Sequence, residues 1–380
     1  MSVLSAVPAD GCATPVKSLE KESPLSTMPC LPAEIILGVD THRDTHAGVL
    51  VDLLGRFVAA NTFPTTRRGI RALIKWAQQQ GTVRRAGVEG TGSYGAGLTR
   101  TLVLENIEVI EVTRASRVGR RHLGKNDTRD AEAAARSVLS GQATAIPKGR
   151  DGIVESIRVL RNARASAVKA RTQAIIHLKN LVVTAPDALR ESLTPLNNKQ
   201  LVARCAAVRR TRRLDALSAT RSAMRTLARR HQLLDQEIAE LDATLTQLTK
   251  LAAPRLLAEP GIGKEIAARL LLTAGDNPTR IRNDSALAAL CGASPVEASS
   301  GKTSRHRLNR GGDRQANSAL WMIANNRMIH HPRTREYVAR RTIEGKSTAE
   351  IRRCLMRHIA RGIHPLLVAD LTGAQQLLLT

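Results

Sequence analysis

The chain has 380 residues, with 58 Lys and Arg against 33 Asp and Glu, a formal net charge of +25. Such an excess calls for a polyanionic partner, most commonly nucleic acid, and a 42% hydrophobic content supports two or three domains with real cores. Aromatic residues make up only 2% (Phe57, Phe63, Trp76, Tyr94, Trp321 and Tyr337), which excludes an extended base-stacking platform and favours contact with phosphate and duplex shape.

The five cysteines (Cys12, Cys30, Cys205, Cys291 and Cys354) form no C-x-x-C pair, so neither a disulfide framework nor a zinc ribbon is supported. No apolar run reaches membrane-spanning length and no signal pattern opens the chain. The expectation is a cytoplasmic protein with no membrane partner.

Residues 1–33 mix Pro, Ser, Thr and Gly without periodicity and read as a mobile tail. From residue 34 to about 145 the pattern changes. IILGVD, HAGVLVD and RFVAA read as a three-stranded meander whose first strand ends in Asp40. TTRRGIRALIKWAQQQG reads as an amphipathic helix closed by Gly81. RRAGVEG is a strand carrying Glu89, GAGLTRTLVLEN a helix and IEVIEVT a further strand. KNDTRDAEAAARSVLSG closes this α/β domain as a helix, with Asp127 as a possible N-cap and Asp130 at N3.

Residues 150–252 read as helical. Met224, Leu227, His231, Leu234, Ile238, Leu241, Leu245 and Leu248 repeat at coiled-coil spacing, pairing within the chain or with a second protomer. His231 is expected to pack in that seam. Arg158, Arg161, Arg164, Lys169, Arg171 and Lys179 load the first half with cations, either a solvated face or a phosphate-binding one. Residues 253–370 are mostly helical. EPGIGKEIAARLLL is a tight glycine turn that can receive a phosphate, as in helix-hairpin-helix DNA binders. ALCGASP leads into a loop bearing Ser299, Ser300 and Gly301, followed by Lys302, Arg305, Arg307, Arg310 and Arg314. Ser347-x-x-Glu350 is a capping box for a final helix, ended by Gly362.

Two constellations carry chemistry. Asp40 and Glu89 end strands, where side chains gather at one crevice, and Asp127 and Asp130 share a helical face. Carboxylates so grouped fit Mg²⁺ or Mn²⁺, and two such ions can clamp both oxygens of a phosphodiester. Ordinary surface acids and a helix cap are the plainer reading. The serine loop offers a hydroxyl among cations, which suits a phosphodiester, and its plainer reading is a solvated loop.

GVDTHRDTH, VEGTGSYG and KNDTRDAEAAAR resemble the three blocks of the RuvC-like DEDD domain of one class of insertion-sequence transposases. PGIG, ALCGASP and the SSG…RGGD block resemble that class's second, serine-bearing domain. The resemblance spans roughly residues 34–365, with Arg43 where the family often has Lys. It implies an RNase H/RuvC-like α/β domain, then a helical coiled-coil region, then a mostly α serine domain. It implies a DNA recombinase in which Ser300, just before Gly301, attacks DNA and forms a transient phosphoserine link. Asp40, Glu89, Asp127 and Asp130 match the metal-binding set, and the coiled coil looks like a dimerisation element. Partners implied are donor and target DNA, a structured guide RNA from the element's ends, and further copies of the chain as a dimer or tetramer. The alternatives are a hydrolytic RuvC-like nuclease or junction resolvase, and a non-catalytic nucleic-acid-binding protein.

Overall fold

Two continuous apolar runs, IILGV and AGVLV, buried on both faces, build the centre of the first layer. In the computed structural model, which describes residues 33–113, 126–209, 213, 215–302, 306–307 and 309–376, β1 (Glu34–Thr41), β2 (Thr45–Asp52) and β3 (Phe57–Pro64) form an antiparallel meander. The tail expected for residues 1–33 therefore lies almost wholly outside the described residues, as does Arg305. Helix α1 (Arg67–Gln80) crosses to β4 (Thr82–Glu89), and α2 (Ala96–Leu104) to β5 (Glu108–Val112). Both crossovers are parallel, giving the order β3-β2-β1-β4-β5. Helix α3 (Asp127–Leu139) covers the other face. Ile35, Leu37, Val39 and Val88 pack toward α1 and α2, whereas Ile36, Val49 and Val51 pack toward Ala131, Ala135 and Val138 of α3. The expected strand and helix order of this domain matches the structure.

Gly81 caps α1 as expected, though in extended rather than left-handed backbone, and the expected cap of α3 shifts by one residue. Gly81 closes α1 in extended backbone (φ 162°), and its missing Cβ matters because one would lie 2.3 Å from the Ala33 carbonyl oxygen. The cap of α3 is Asn126, which accepts from the Thr128 N–H at 3.0 Å. Asp127 is the first helical residue, and its carboxylate lies 3.1 Å from His42 Nε2.

The helical half begins with α4 (Ile153–Val183), then α5 (Asp187–Leu193), α6 (Asn198–Ala206) and the 37-residue α7 (Ala216–Ala252). Helices α4 and α7 form an antiparallel hairpin. A step of seven residues along α4, Arg164 to Arg171, matches seven back along α7, Asp242 to Asp235, and each facing pair is ionic. The seam residues face this partner within the chain, with Met224, Ile238 and Leu245 buried and Leu234 and Leu241 half-buried. Of the cations on α4, Arg158, Arg161, Arg164 and Arg171 pair with Glu155, Glu265, Asp242 and Asp235. The phosphate-binding reading of that run is thereby corrected for these four, because carboxylates from the same chain already neutralise them. Arg164 reaches Asp242 with two bonds, of 2.6 and 3.1 Å. A double-mutant cycle on this pair, read from urea midpoints, is expected to give a coupling of about 0.5–1 kcal/mol that shrinks with salt. Zero coupling would reduce the pair to a screened surface contact.

Helices α8 (Pro254–Leu257), α9 (Lys264–Ala274), α10 (Asp284–Leu290), α11 (Arg314–His330), α12 (Pro332–Ile343) and α13 (Thr348–Gln376) enclose the largest core. Val154, Ile157, Leu245 and Ala252, from the base of the hairpin, belong to the same core. Asp276 fixes that base by accepting from the Val154 and Glu155 N–H groups at 2.8 and 3.1 Å, which caps α4. The capping box at Ser347 and Glu350 is present, but Gly362 does not end α13. The helix runs on through Pro365 because Ile363, Leu367 and Leu371 are buried in the core, and tertiary burial outweighs local propensity.

Candidate functional site

The site starts from a glycine. Gly38 faces α3, and a Cβ there would sit 2.0 Å from the Ala131 carbonyl oxygen and 2.6 Å from the Ala135 nitrogen. Without one, the helix lies directly on β1. Two residues on, Asp40 points to the same face by strand alternation and is only 3% exposed. The first turn of α3 brings Asp127 alongside. His42 Nε2 lies 3.1 Å from Asp40 Oδ2 and 3.1 Å from Asp127 Oδ1. Ligand atoms of all three residues fall within 4.8 Å of one another.

The other two predicted acids sit around this trio. Asp130, one turn along α3, is close enough for its charge to act on Asp40. Glu89 ends β4, directly after Val88, which pairs with Val39 of β1. Its register neighbour Gly87 faces α3, where a Cβ would meet the Ala134 carbonyl oxygen at 2.7 Å, so Glu89 alternates onto the Asp40 face. Thr41 Oγ1 donates to the Glu89 carbonyl oxygen at 2.7 Å and ties the two strand ends together. Burial raises the Asp40 carboxyl above the ordinary aspartate value; His42 opposes this, while Asp127 and Asp130 add to it. His46, on the opposite face of β2, is wholly buried, and burial followed by the nearby His42 lowers its pKa.

A divalent cation fits this donor set. Burial and the neighbouring Asp127 and Asp130 charges disfavour the ionised Asp40 carboxylate, His42 offsets this only in part, and a cation held by Asp40 and Asp127 would favour the ionised form further. His42 was missed in the sequence. Its spacing, two residues beyond Asp40 in Asp-Thr-His, marks a neighbour of Asp40, but its reach to Asp127 depends on how α3 docks.

The serine loop belongs to the other core. Strands β6 (Val296–Glu297) and β7 (His306–Arg307) pair as a short antiparallel ladder, with Ser299, Ser300 and Gly301 in the connection between them. Ser300 is exposed, as are Lys302, Arg307, Arg310 and Arg314. The loop is closed at its neck, where a Cβ on Gly312 would lie 2.2 Å from the Gly292 nitrogen. The Asp313 N–H donates to the Leu290 carbonyl oxygen at 2.7 Å, and Asn317 Nδ2 to that of Cys291 at 2.9 Å. Asp313 also caps α11, accepting from the Gln315 and Ala316 N–H groups. Burial pushes the Cys291 thiol up to about 12, so it stays protonated. The structure brings Asp40, His42 and Asp127 together, with Asp130 one turn along α3 and Glu89 at the neighbouring strand end, and sets Ser300 on a separate loop.

Two family models match the chain. A model described as Transposase, of the IS110 DEDD type, matches residues 37–185, and one described as Transposase IS116/IS110/IS902 family matches residues 253–339. The chain carries both domains of the IS110 transposase family. The first matched region holds Asp40, His42, Glu89, Asp127 and Asp130, and the second holds Ser300 and Arg314. A curated relative, "Insertion element IS110 uncharacterized 43.6 kDa protein" of Streptomyces coelicolor (strain ATCC BAA-471 / A3(2) / M145), is 38% identical over 97 residues. That match covers 25% of this chain and 24% of the relative, so the chain spans about a quarter of the relative's length. Among the described residues no helix is long and apolar enough to cross a membrane.

Proposed function

We propose that the chain is a DNA transposase that moves an insertion sequence by cleaving and rejoining strands at Ser300, supported by a divalent metal at the acidic crevice. The observation that carries this reading is the Asp40–His42–Asp127 cluster inside the region that matches the DEDD transposase model. Asp40 and Asp127 would hold Mg²⁺ or Mn²⁺, with Glu89 and Asp130 completing the carboxylate shell and His42 beside them. A bound ion there supplies positive charge for a phosphodiester oxygen and orients it. The chain's own residues do the rest. Ser300 Oγ forms a bond to phosphorus as the bond from phosphorus to the leaving deoxyribose oxygen breaks; the serine proton goes to solvent and the leaving oxygen takes one up. Lys302, Arg305, Arg307, Arg310 and Arg314 stabilise the charge that gathers on the phosphoryl oxygens. Family resemblance adds a structured guide RNA as a partner and a dimer or tetramer as the working assembly.

The test is adduct formation with a labelled duplex carrying element ends, in the presence of Mg²⁺. The Ser300→Ala protein is expected to lose the covalent adduct and strand transfer while binding DNA within about twofold of the parent. An adduct recovered on Ser299 would reassign the nucleophile. One observation favours a second reading, a hydrolytic RuvC-like nuclease: the acidic crevice and Ser300 sit on separate cores. Cleavage by the Ser300→Ala protein that needs Mg²⁺ and leaves no adduct would establish it.

A further inference from the structure

The far end of the α4–α7 hairpin has a charge pattern that the reaction centre does not use. Charge on α7 is segregated along its length. Its first half carries Arg221, Arg225, Arg229 and Arg230 with no carboxylate, and its second half carries Asp235, Glu237, Glu240 and Asp242. The acidic half lies against the basic middle of α4 and neutralises it through Arg164–Asp242 and Arg171–Asp235. The basic half lies beyond these two ion pairs. It packs instead with the end of α4, α5 and α6 around a small core of its own, including Leu178, Val182, Leu201, Cys205 and Met224.

This head is basic on its surface too. Lys179, Lys199, Arg204, Arg209, Arg229 and Arg230 are exposed. Among the described residues, Lys179, Lys199, Arg204 and Arg230 make no ion pair, whereas the carboxylates of the head are partly engaged. Asp187 pairs with Arg190 at 2.5 Å, and Asp215 caps α7 by accepting from the Ser218 N–H at 2.7 Å. Arg229 Nε donates to the Ala206 carbonyl oxygen at 3.4 Å, which joins the basic turns of α7 to the end of α6. An ion-paired stalk therefore ends in a cationic cap. At 1.5 Å per residue, the rise from Arg161, at the level of Glu265, to Lys179 places that cap about 27 Å out along the hairpin.

We infer that this head is a second nucleic-acid contact, gripping the phosphate backbone of duplex DNA at a distance from the reaction centre. The chemistry of the surface selects the ligand. Residues 177–231 contain no Phe, Tyr or Trp, so single strands, which bind largely by stacking on such rings, find little to stack on. Lys and Arg on helices suit the regular phosphate rows of a duplex. The choice of DNA over RNA rests on the transposase reading above. Dispersed contacts of this kind position the duplex and carry no sequence choice.

The test uses the full chain and binding alone, so it is read independently of Ser300 chemistry. Affinity for a 40-base-pair duplex is measured across a salt series for the parent and for the combined Lys199→Gln, Arg204→Gln and Arg230→Gln protein. Each lost phosphate contact removes about 0.9 from the slope of log affinity against log salt, so the slope should become shallower by roughly 2–3 and affinity at fixed salt should fall about tenfold or more. The charge-conserving Lys199→Arg, Arg204→Lys and Arg230→Lys protein should keep the parental slope. A photo-crosslinking residue at Ala203, on the exposed face of α6, should label DNA, while the same residue at Val159 on the stalk should not. This second readout holds even if the Gln protein folds poorly. An unchanged slope in a folded Gln protein, or no DNA labelling from Ala203, would overturn the inference. A loss confined to duplex RNA of equal length would reassign the ligand. Loss of the Ser300 adduct result with the slope change intact would sink the catalytic reading and leave this one standing.

Discussion

Replacing Asp40 by Asn is expected to stabilise the chelator-treated protein at neutral pH while sharply slowing strand cleavage. Asp40 is buried, and burial, reinforced by Asp127 and Asp130, raises its pKa against the opposing pull of His42. The folded state therefore binds this proton more tightly than the unfolded chain does. The stability this contributes is fully present below the unfolded aspartate pKa, about 3.9, and is lost as pH rises through the higher folded value. At neutral pH the ionised side chain is a liability that Asn lacks, so the variant should melt higher there and lose its advantage in acid. Mg²⁺ should reverse the order, because a ligand that binds only the folded parent stabilises it by mass action. Cleavage should fall by about 10²–10⁴-fold, the scale of several kcal/mol of charge stabilisation. Melting curves with and without Mg²⁺, together with a cleavage assay, check both halves. A variant that melts lower at neutral pH without metal would show that the contact with His42 outweighs the cost of burial.

Gly38→Ala should produce the second large effect, through packing alone. The new methyl would meet backbone atoms of α3, at 2.0 Å from the Ala131 oxygen and 2.6 Å from the Ala135 nitrogen, and no rotamer change can move backbone away. The helix must lift off β1, at about 3 kcal/mol, the upper end of the range for overpacked cores. Lifting α3 carries Asp127 and Asp130 away from Asp40, so calorimetric Mg²⁺ binding should weaken along with the denaturation midpoint. Gly263→Ala is the matched control. Nothing lies within 4 Å of its Cβ position and its φ of −90° is open to alanine, so it meets no clash; as the N-cap of α9, where alanine caps less well than glycine, it should cost about 0.5–1 kcal/mol and leave Mg²⁺ binding unchanged. Equal losses in the two variants would point to a general glycine effect.

The contrast between what the chain announced and what it concealed follows the range of the interactions. Asp40 and Glu89 are legible as strand ends because a short apolar run closed by a carboxylate is a local signal, and the meander and its two crossovers follow from the order of such runs and helices. Asn126 capping in place of Asp127 shows the limit of one-residue precision at helix ends. The bridging position of His42 depends on α3 docking across β1, which no spacing in the sequence reports. The pairing of Arg164 with Asp242 and of Arg161 with Glu265 joins residues far apart in the chain, so the cations of α4 looked free until the hairpin closed on them. Ser300 came from family resemblance, and its role rests on that and on the cations around it.

The neck of the serine loop has a consequence for how such a chain tolerates change. Gly292 and Gly312 lie backbone to backbone, and Asp313 and Asn317 fasten the two entering strands to Leu290 and Cys291. The segment between them therefore begins and ends at one point on the core, like a purse string drawn shut. Residues added or removed beyond the neck leave the register of α10 and α11 untouched, and doubling the length of a flexible loop costs only about 0.6 kcal/mol in closure entropy. The fold can thus accept a longer, shorter or wholly exchanged segment around the hydroxyl without relearning how to fold.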